Sequence, residues 1–334
     1  MTKRKHLAVV MVIVVGGILT GYWWQNRYPD FASSPKPADS SQPKPQERPI
    51  KEPFLAVVVE NTPESRPQSG LSLADFVFEA VTEAGITRML VFYQSGEASM
   101  IGPVRSARPY FVDWALGFGA VLAYSGGSKE ALEKIADLGG GAQTVNEFYN
   151  EKYFWRDQSK KSPHNLFTST NLLGELALKK GWDMAVAKEP GWEVNSQSLD
   201  SVSATATEIT INFSYNLFGV KYKYNPESNS YDRSLANKPH VDSLTQKQIS
   251  ANNVVILYTT SNVIDQELLT LDLKTTGTGR AVIFRDGRVI QARWKKESPG
   301  APLRLLDADG SMIQLHPGSS WFAVLDQHGS ASWR

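Results

Sequence analysis

Two glutamates, Glu79 and Glu83, have the residue type and the close spacing that acid–base chemistry needs. Glu79 lies inside the apolar segment Phe76–Val81, which has the composition of a strand buried on both faces. A carboxylate in such a strand is costly unless it is paired or hydrogen-bonded. It is therefore either an acid, base or ligand contact, or one member of a structural ion pair. The sequence leaves both interpretations open and favours the ion pair.

A rigid turn at residues 102–109 carries two arginines that could reach these glutamates. Arg108 precedes a proline, which restricts Arg108 to extended backbone, and that proline suits the first position of a helix. Arg105 and Arg108 would then lie beside free helix N–H groups and could bind a carboxylate or phosphate. Arg88 and Ser106 are further candidates for the same ligand site. Alternatively, the arginines neutralise the two glutamates and leave no ligand site.

Two further loops carry candidate ligand-binding residues. The segment Ser125–Ser128 has two central glycines and separates a strand signal from a helix signal. Its amides and Ser128 could hold an anion, or the glycines could serve the turn alone. The second loop follows Pro163 and presents His164 and Asn165 as two neighbouring polar side chains.

A third group of polar residues lies in the second half of the chain. On a strand, His240 and Asp242 would share a face, and Arg233 lies upstream of them. The spacing His-x-Asp supplies half of a metal site. Because no third ligand is identifiable, we expect a hydrogen-bonded structural pair, no metal and no other cofactor.

The composition excludes several kinds of chemistry. The 334 residues contain no cysteine, which excludes disulfides, thiolate zinc sites, iron–sulfur clusters and a cysteine nucleophile. A formal net charge of +1 argues against nucleic-acid binding, since such domains are visibly basic. There is no H-E-x-x-H motif, and S-x-x-K spacings at residues 33–36 and 41–44 lie in a proline-rich segment. These absences favour a protein that is not an enzyme.

The N-terminal 28 residues predict a membrane anchor. Basic residues at positions 3–5 precede an uncharged run at residues 7–24, which is long enough to cross the hydrocarbon core as a helix. This order places the N-terminus in the cytoplasm and the remaining chain outside the cytoplasmic membrane, with a single pass. The alternative is a cleaved signal peptide, although no A-x-A-like cleavage site follows the run. Residues 29–53 hold seven of the eighteen prolines and predict an extended spacer.

The remaining chain divides into two parts that differ in their pattern of secondary-structure signals. Residues 54–190 alternate apolar strand-like runs with helix signals at 109–116, 129–138 and 171–180, which is typical of an α/β-type domain. Residues 205–330 show alternating apolar and polar runs with few helix signals, which predicts a β-rich domain. The fold class is therefore α+β, with an N-terminal transmembrane helix.

A string of motifs runs through both parts of the body. It comprises residues 64–71, 74–79, 85–88, 101–109, 126–128 and 163–166, and then Tyr231-x-Arg233, His240-x-Asp242, Asn253-Val254, Gly277-x-Gly279 and Trp294. This string resembles the YerB-like family of bacterial cell-envelope lipoproteins, over about residues 54–326. The resemblance implies two linked extracytoplasmic domains of unknown function and no established reaction. The lipidated cysteine of the family is absent here, which favours the protein anchor, and Ala84 stands where a glycine is common.

These observations lead to one main hypothesis and two alternatives. The main hypothesis is a non-enzymatic envelope protein that binds an anionic cell-wall or peptide ligand, or a membrane partner, through Arg105, Arg108, Arg88 and Glu79. The first alternative is a glycan or peptidoglycan hydrolase or transferase that uses the two glutamates with His164 or His240. The second is a scaffold that holds other envelope proteins.

Overall fold

The computed structural model describes residues 54–182, 191–197 and 204–334. The predicted anchor at residues 1–28, the predicted spacer at residues 29–53 and most of the segment that links the two halves lie outside the described residues. Within these ranges, no helix has both the length and the apolar character needed to cross a bilayer.

The described residues are rich in strands and contain three α-helices. The helices are α1 (Pro109–Phe118), α2 (Lys129–Leu138) and α3 (Thr170–Lys179). The strands before the linking segment are β1 (Leu55–Glu60), β2 (Phe76–Val81), β3 (Thr87–Tyr93), β4 (Val121–Tyr124), β5 (Thr144–Asn146), β6 (Trp155–Arg156) and β7 (Leu166–Phe167). The later strands are β8 (Glu193–Val194), β9 (Glu208–Asn212), β10 (Gly219–Asn225), β11 (Ser230–Leu235), β12 (Lys238–Pro239), β13 (Ser250–Ala251), β14 (Asn253–Tyr258), β15 (Ser261–Asp265), β16 (Thr270–Leu273), β17 (Gly277–Arg285), β18 (Arg288–Lys296), β19 (Arg304–Leu306), β20 (Gln314–Leu315), β21 (Ser320–Leu325) and β22 (Ser330–Trp333).

Short-range signals determine the helix ends. Pro109 opens α1, and Gly119 closes it in the left-handed conformation with φ +62°. The Ser128 side chain caps α2 by accepting a hydrogen bond from Ala131 N. Ser169 caps α3 in the same way through Leu172 N. The helices predicted from the sequence are therefore present at nearly the predicted positions.

Both halves of the chain contribute strands to one mixed ten-stranded sheet. The strand order is β19-β18-β17-β14-β21-β2-β3-β1-β4-β5. The late strand β21 pairs in parallel with β2 on one side and with β14 on the other. The central strands β1, β2, β3 and β21 are buried along their whole length, which explains why they read as nearly continuous apolar runs.

The large sheet is covered on both faces. On one face, side chains such as Phe76, Phe78 and Phe322 pack with Trp114 of α1 in an aromatic cluster. The opposite face packs against α3 and a second, antiparallel sheet, whose order is β12-β11-β10-β9-β22, with β13 paired to β11. Because strand side chains alternate in direction, Glu79 points to this second face with its neighbours two residues away.

The observed fold is mixed α/β, strand-rich and poor in helices, which confirms the coarse prediction. The limits of the two proposed domains, 54–190 and 205–330, stay a prediction. The sheet shared by the two halves was not predicted, because the pairing of β2 with β21 joins segments about 240 residues apart and leaves no local sequence signal.

Candidate functional site

Three parallel strands of the large sheet end side by side. β1 ends at Glu60, β4 is followed by Ser125, and β5 ends at Asn146. In open α/β sheets, ligands bind in the crevice outside the carboxyl ends of the strands. The polar residues gathered here are called the strand-end site: Glu60, Arg105, Ser106, Ser125, Glu147, Arg156, His164 and Asn165.

The buried carboxylate of Glu60 contacts two of the predicted residues, Arg105 and His164. Glu60 Oε1 lies 3.1 Å from Arg105 Nε, and Glu60 Oε2 lies 2.8 Å from His164 Nδ1. The Arg105 contact is an ion pair without the geometry of an aligned hydrogen bond. The Arg105 backbone is fixed as well, since its N–H donates to Val58 O of β1. Arg105 and His164 therefore lie together at the end of β1, on a carboxylate that they share.

A second ion pair lies beside the first. Arg156 Nη2 is 3.4 Å from Glu147 Oε1, and Ser125 Oγ donates to Glu147 Oε2 at 3.0 Å. Arg156 also donates through Nη1 to Asn165 Oδ1 at 3.2 Å. The aromatic rings of Phe148 and Tyr149 follow Glu147 and are 67% and 85% exposed. Exposed aromatic rings beside hydrogen-bonding groups are suited to contact a ligand that is partly apolar.

The turn that contains Ser128 closes the rim of the strand-end site. Ala107 N donates to Gly126 O, and Ser128 N donates to Ala107 O. The Ser128 hydroxyl is occupied as the cap of α2. The structure therefore gives Ser128 a local role in the turn and the helix, which is one of the two interpretations that its sequence allowed.

The three arginines predicted to act together, Arg88, Arg105 and Arg108, divide between two clusters. Arg88 and Arg108 each place an Nη2 atom 2.5 Å from a different oxygen of Glu83, and Arg88 also donates to Ser106 O at 3.0 Å. Burial alone would raise the pKa of Glu83, but the charges of Arg88 and Arg108 hold that pKa below its ordinary value. Glu83 is therefore an ionised anchor for two buried arginines.

Glu79 is fully buried and accepts four hydrogen bonds. Asn61 Nδ2 and Thr87 Oγ1 donate to Oε1 at 3.1 and 3.0 Å. Arg233 Nη2 and Trp321 Nε1 donate to Oε2 at 2.8 and 3.1 Å. With four donors, the carboxylate is satisfied as a structural anion.

Arg233 extends this network to His240. Its Nη1 donates to Tyr222 Oη at 2.9 Å and its Nε donates to His240 Nδ1 at 3.0 Å. Nδ1 of the imidazole therefore accepts, and Nε2 carries the hydrogen that is donated to Gln68 Oε1 at 2.9 Å. Burial, followed by the charges of Arg233 and Arg66, holds the pKa of His240 well below its ordinary value.

Asp242 has different partners from His240. Its carboxylate accepts from the backbone N–H groups of Gly70, Ser72 and Leu244 at 2.7–3.1 Å. This fixes the loop before β2 to the segment that follows β12. Within the described ranges, no group of three histidine, cysteine or acidic residues is placed to hold a metal ion.

The predicted site residues therefore lie in three places rather than one. Arg105, Ser106, His164 and Asn165 belong to the strand-end site, with Ser128 at its rim. Glu83, Arg88 and Arg108 form a second cluster. Glu79, Arg233 and His240 form the third, with Asp242 on a neighbouring loop.

Several residues of these clusters were not predicted. Glu60 follows the apolar run of β1 and is almost completely buried, so the reasoning that selected Glu79 would also have selected Glu60. Glu147 and Arg156 have no local signal, because they meet only when β5 and β6 are placed. Trp321 lies 242 residues from Glu79 and depends on the shared sheet.

The fold and the strand-end site define a class of strand-rich α/β proteins in which two sequence halves complete one large sheet. The chain belongs to the DUF3048 family of proteins of unknown function, since the model of the N-terminal domain matches residues 40–183 and that of the C-terminal domain matches residues 209–322. This confirms the family resemblance seen in the sequence motifs.

One relative and its solved structure are similar over most of the chain. YerB of Bacillus subtilis, which is described as a candidate lipoprotein, is 30% identical, and the match covers 98% of each chain. The crystal structure of the Bacillus subtilis YerB protein superposes with a TM-score of 0.73 at 30% identity, over 85% of this chain and 94% of that one.

Proposed function

We propose that this chain is a cell-envelope protein whose folded body lies outside the cytoplasmic membrane and binds an anionic cell-wall or peptide ligand at the strand-end site. The uncharged run at residues 7–24 would anchor it and the proline-rich residues 29–53 would hold the body away from the bilayer. The description of the YerB relative as a candidate lipoprotein supports an envelope location. Since the chain has no cysteine, a protein anchor takes the place of a lipid.

One observation supports the anionic ligand above all others. In both ion pairs of the strand-end site, the arginine faces solvent and the carboxylate lies beneath it. The side chains of Arg105 and Glu60 are 28% and 1% exposed, and those of Arg156 and Glu147 are 45% and 13% exposed. A ligand that approaches this edge therefore meets guanidinium groups, which bind carboxylate and phosphate groups well.

A ligand-induced shift in melting temperature tests this proposal. The full-length chain in phosphatidylcholine nanodiscs is melted with soluble peptidoglycan fragments or poly-L-glutamate, with neutral dextran as the control. Binding to the folded state raises the melting temperature by several degrees. The double variant Arg105→Gln/Arg156→Gln should lose this rise, and Arg293→Gln, which removes an exposed arginine on β18, should keep it. An equal rise in all three proteins would contradict the assignment.

The acid–base alternative receives less support from the geometry. Glu79 is bonded to Arg233 and Glu83 to two arginines, so neither carboxylate is free to exchange protons with a substrate. Carboxylates held in this way favour the ion-pair interpretation.

The scaffold alternative is favoured by one surface feature. The hairpin formed by β15 and β16 exposes three apolar side chains, Val263, Leu268 and Leu269, which are the candidates for a contact with another protein. A photo-crosslinking residue at position 268 should capture a discrete envelope protein in membranes if the chain is a scaffold. The same residue at position 223, on exposed β10, is the matched control.

A further inference from the structure

A cleft of about 530 Å³ opens beside the buried Arg233–His240 network. Pro63 and Pro67 form one wall, and Leu217, Leu235 and Val241 contribute apolar surface from the second sheet and its loops. None of the strand-end residues lines this cleft. Its volume falls in the range of small-molecule and short-peptide sites, which are mostly apolar with a few placed polar groups.

Two cations, Arg66 and Lys238, line this mostly apolar cleft. Arg66 uses Nε and Nη2 to donate to the Asn61 side-chain and backbone oxygens at 3.2 and 2.7 Å. Lys238 is exposed on the short strand β12. Neither cation forms an ion pair with any residue in the part of the chain that the structure describes.

The surroundings of Arg66 show that an additional anion would be favourable. Burial lowers the pKa of Arg66, the charge of Glu79 opposes this effect, Arg233 adds to it, and the charge of Glu64 opposes it to a smaller extent. Glu79 is already bonded directly to Arg233. Arg66 is thus a partly desolvated cation close to a second buried cation, and such a group gains from an anionic partner.

One wall of the cleft belongs to the second sheet. Lys238 and Pro239 line the cleft and form β12, which is the outermost strand of that sheet.

We propose that this cleft binds the free carboxylate end of a short apolar peptide. The carboxylate lies between Arg66 and Lys238, and the apolar residues of the peptide lie against the prolines and aliphatic side chains. This proposal does not depend on the strand-end site, whose ligand is held by other residues.

The test compares a peptide acid with its amide. The probes are acetyl-Ala-Ala-Ala with a free carboxylate and the same peptide as the amide. They are titrated into methyl-labelled full-length chain in phosphatidylcholine nanodiscs. We expect saturable shifts of the Leu217, Leu235 and Val241 methyl signals with the acid only, because the amide has no charge for the two cations.

Reversing the charge of Lys238 in the cleft gives a second comparison, of the affinity for the peptide acid. Lys238→Glu should weaken binding of the acid about tenfold or more, equivalent to about 1.4 kcal/mol. Lys223→Glu makes the same change on exposed β10 of the same sheet and should leave the affinity unchanged. Equal binding of acid and amide, equal affinity in Lys238→Glu, or shifts confined to other methyl groups would each overturn the proposal.

Discussion

Arg233 and Glu79 form a fully buried ion pair that joins the two halves of the chain. Arg233 Nη2 lies 2.8 Å from Glu79 Oε2, and neither side chain is exposed. The guanidinium also lies 4.2 Å from the Trp321 ring centroid, and Trp321 itself donates to the same carboxylate oxygen. Removing one charge of such a pair leaves the other charge buried without a partner.

We therefore expect Glu79→Gln to destabilise the protein by about 3–5 kcal/mol, because Arg233 then carries an uncompensated charge. The measurement is the free energy of unfolding in urea. The double variant Glu79→Gln/Arg233→Met should be less unstable than the sum of its two single variants, since both charges are gone. A loss below about 1 kcal/mol for Glu79→Gln would show that the pair contributes no more than a surface ion pair.

The neutral His240 predicts a pH dependence of stability. Its pKa is held well below 6.5 by burial and by Arg233 and Arg66. As the pH falls below 6.5, the unfolded chain binds a proton that the folded chain does not bind, so stability decreases by up to about 1.4 kcal/mol per pH unit. His240→Gln should show a shallower decrease between pH 6.5 and 5.5. The exposed His328→Gln is the control and should keep the wild-type slope.

The turn between β2 and β3 predicts a stabilising substitution. Ala84 has φ +46°, which costs an L-residue with a Cβ about 1–2 kcal/mol. Ala84→Gly removes this cost. The greater conformational freedom of glycine in the unfolded chain partly offsets the gain in stability. We expect a net gain of up to about 1 kcal/mol in the free energy of unfolding. Ala331→Gly, in the regular strand β22, should instead destabilise by about 0.5–1 kcal/mol.

Substitutions of Ser128 distinguish a helix-capping role of its hydroxyl from an anion-binding role. Ser128→Ala removes the cap of α2 and should cost about 1 kcal/mol of stability. Because the hydroxyl already accepts from Ala131 N, the shift in melting temperature caused by an anionic ligand should be retained. Ser128→Asp keeps a capping oxygen and should restore most of the stability. Loss of the ligand effect in Ser128→Ala, with the fold intact, would assign the hydroxyl to the ligand instead.

Local chemistry made the helices and the buried carboxylate predictable. Proline at the start of α1, serine at the cap of α2 and glycine after each of them act within one turn, so sequence spacing is sufficient. The burial of Glu79 followed from the apolar residues that flank it. Its partner Arg233 lies 154 residues away, and only the packing of the second sheet against the first brings the two together.

The division of the arginines also required the structure. Arg105 and Arg108 are three residues apart in an irregular segment, where side-chain direction has no fixed period. Arg105 forms an ion pair with Glu60 at the end of β1, whereas Arg108 forms one with Glu83 after β2. The sequence therefore indicated an arginine-rich site but not which arginine remains partly open to solvent.

The position of β21 has a consequence for how the protein folds during synthesis. Residues 320–325 lie in the middle of the large sheet, between β2 and β14, although they are synthesised more than 200 residues after their neighbour β2. Until they arrive, β2 and β14 each present an unpaired edge. Folding that depends on such distant pairings is slow and exposes these edges to wrong partners. The large sheet can thus close only after residues 320–325 have been made, and loss of β21 would leave the sheet split in two.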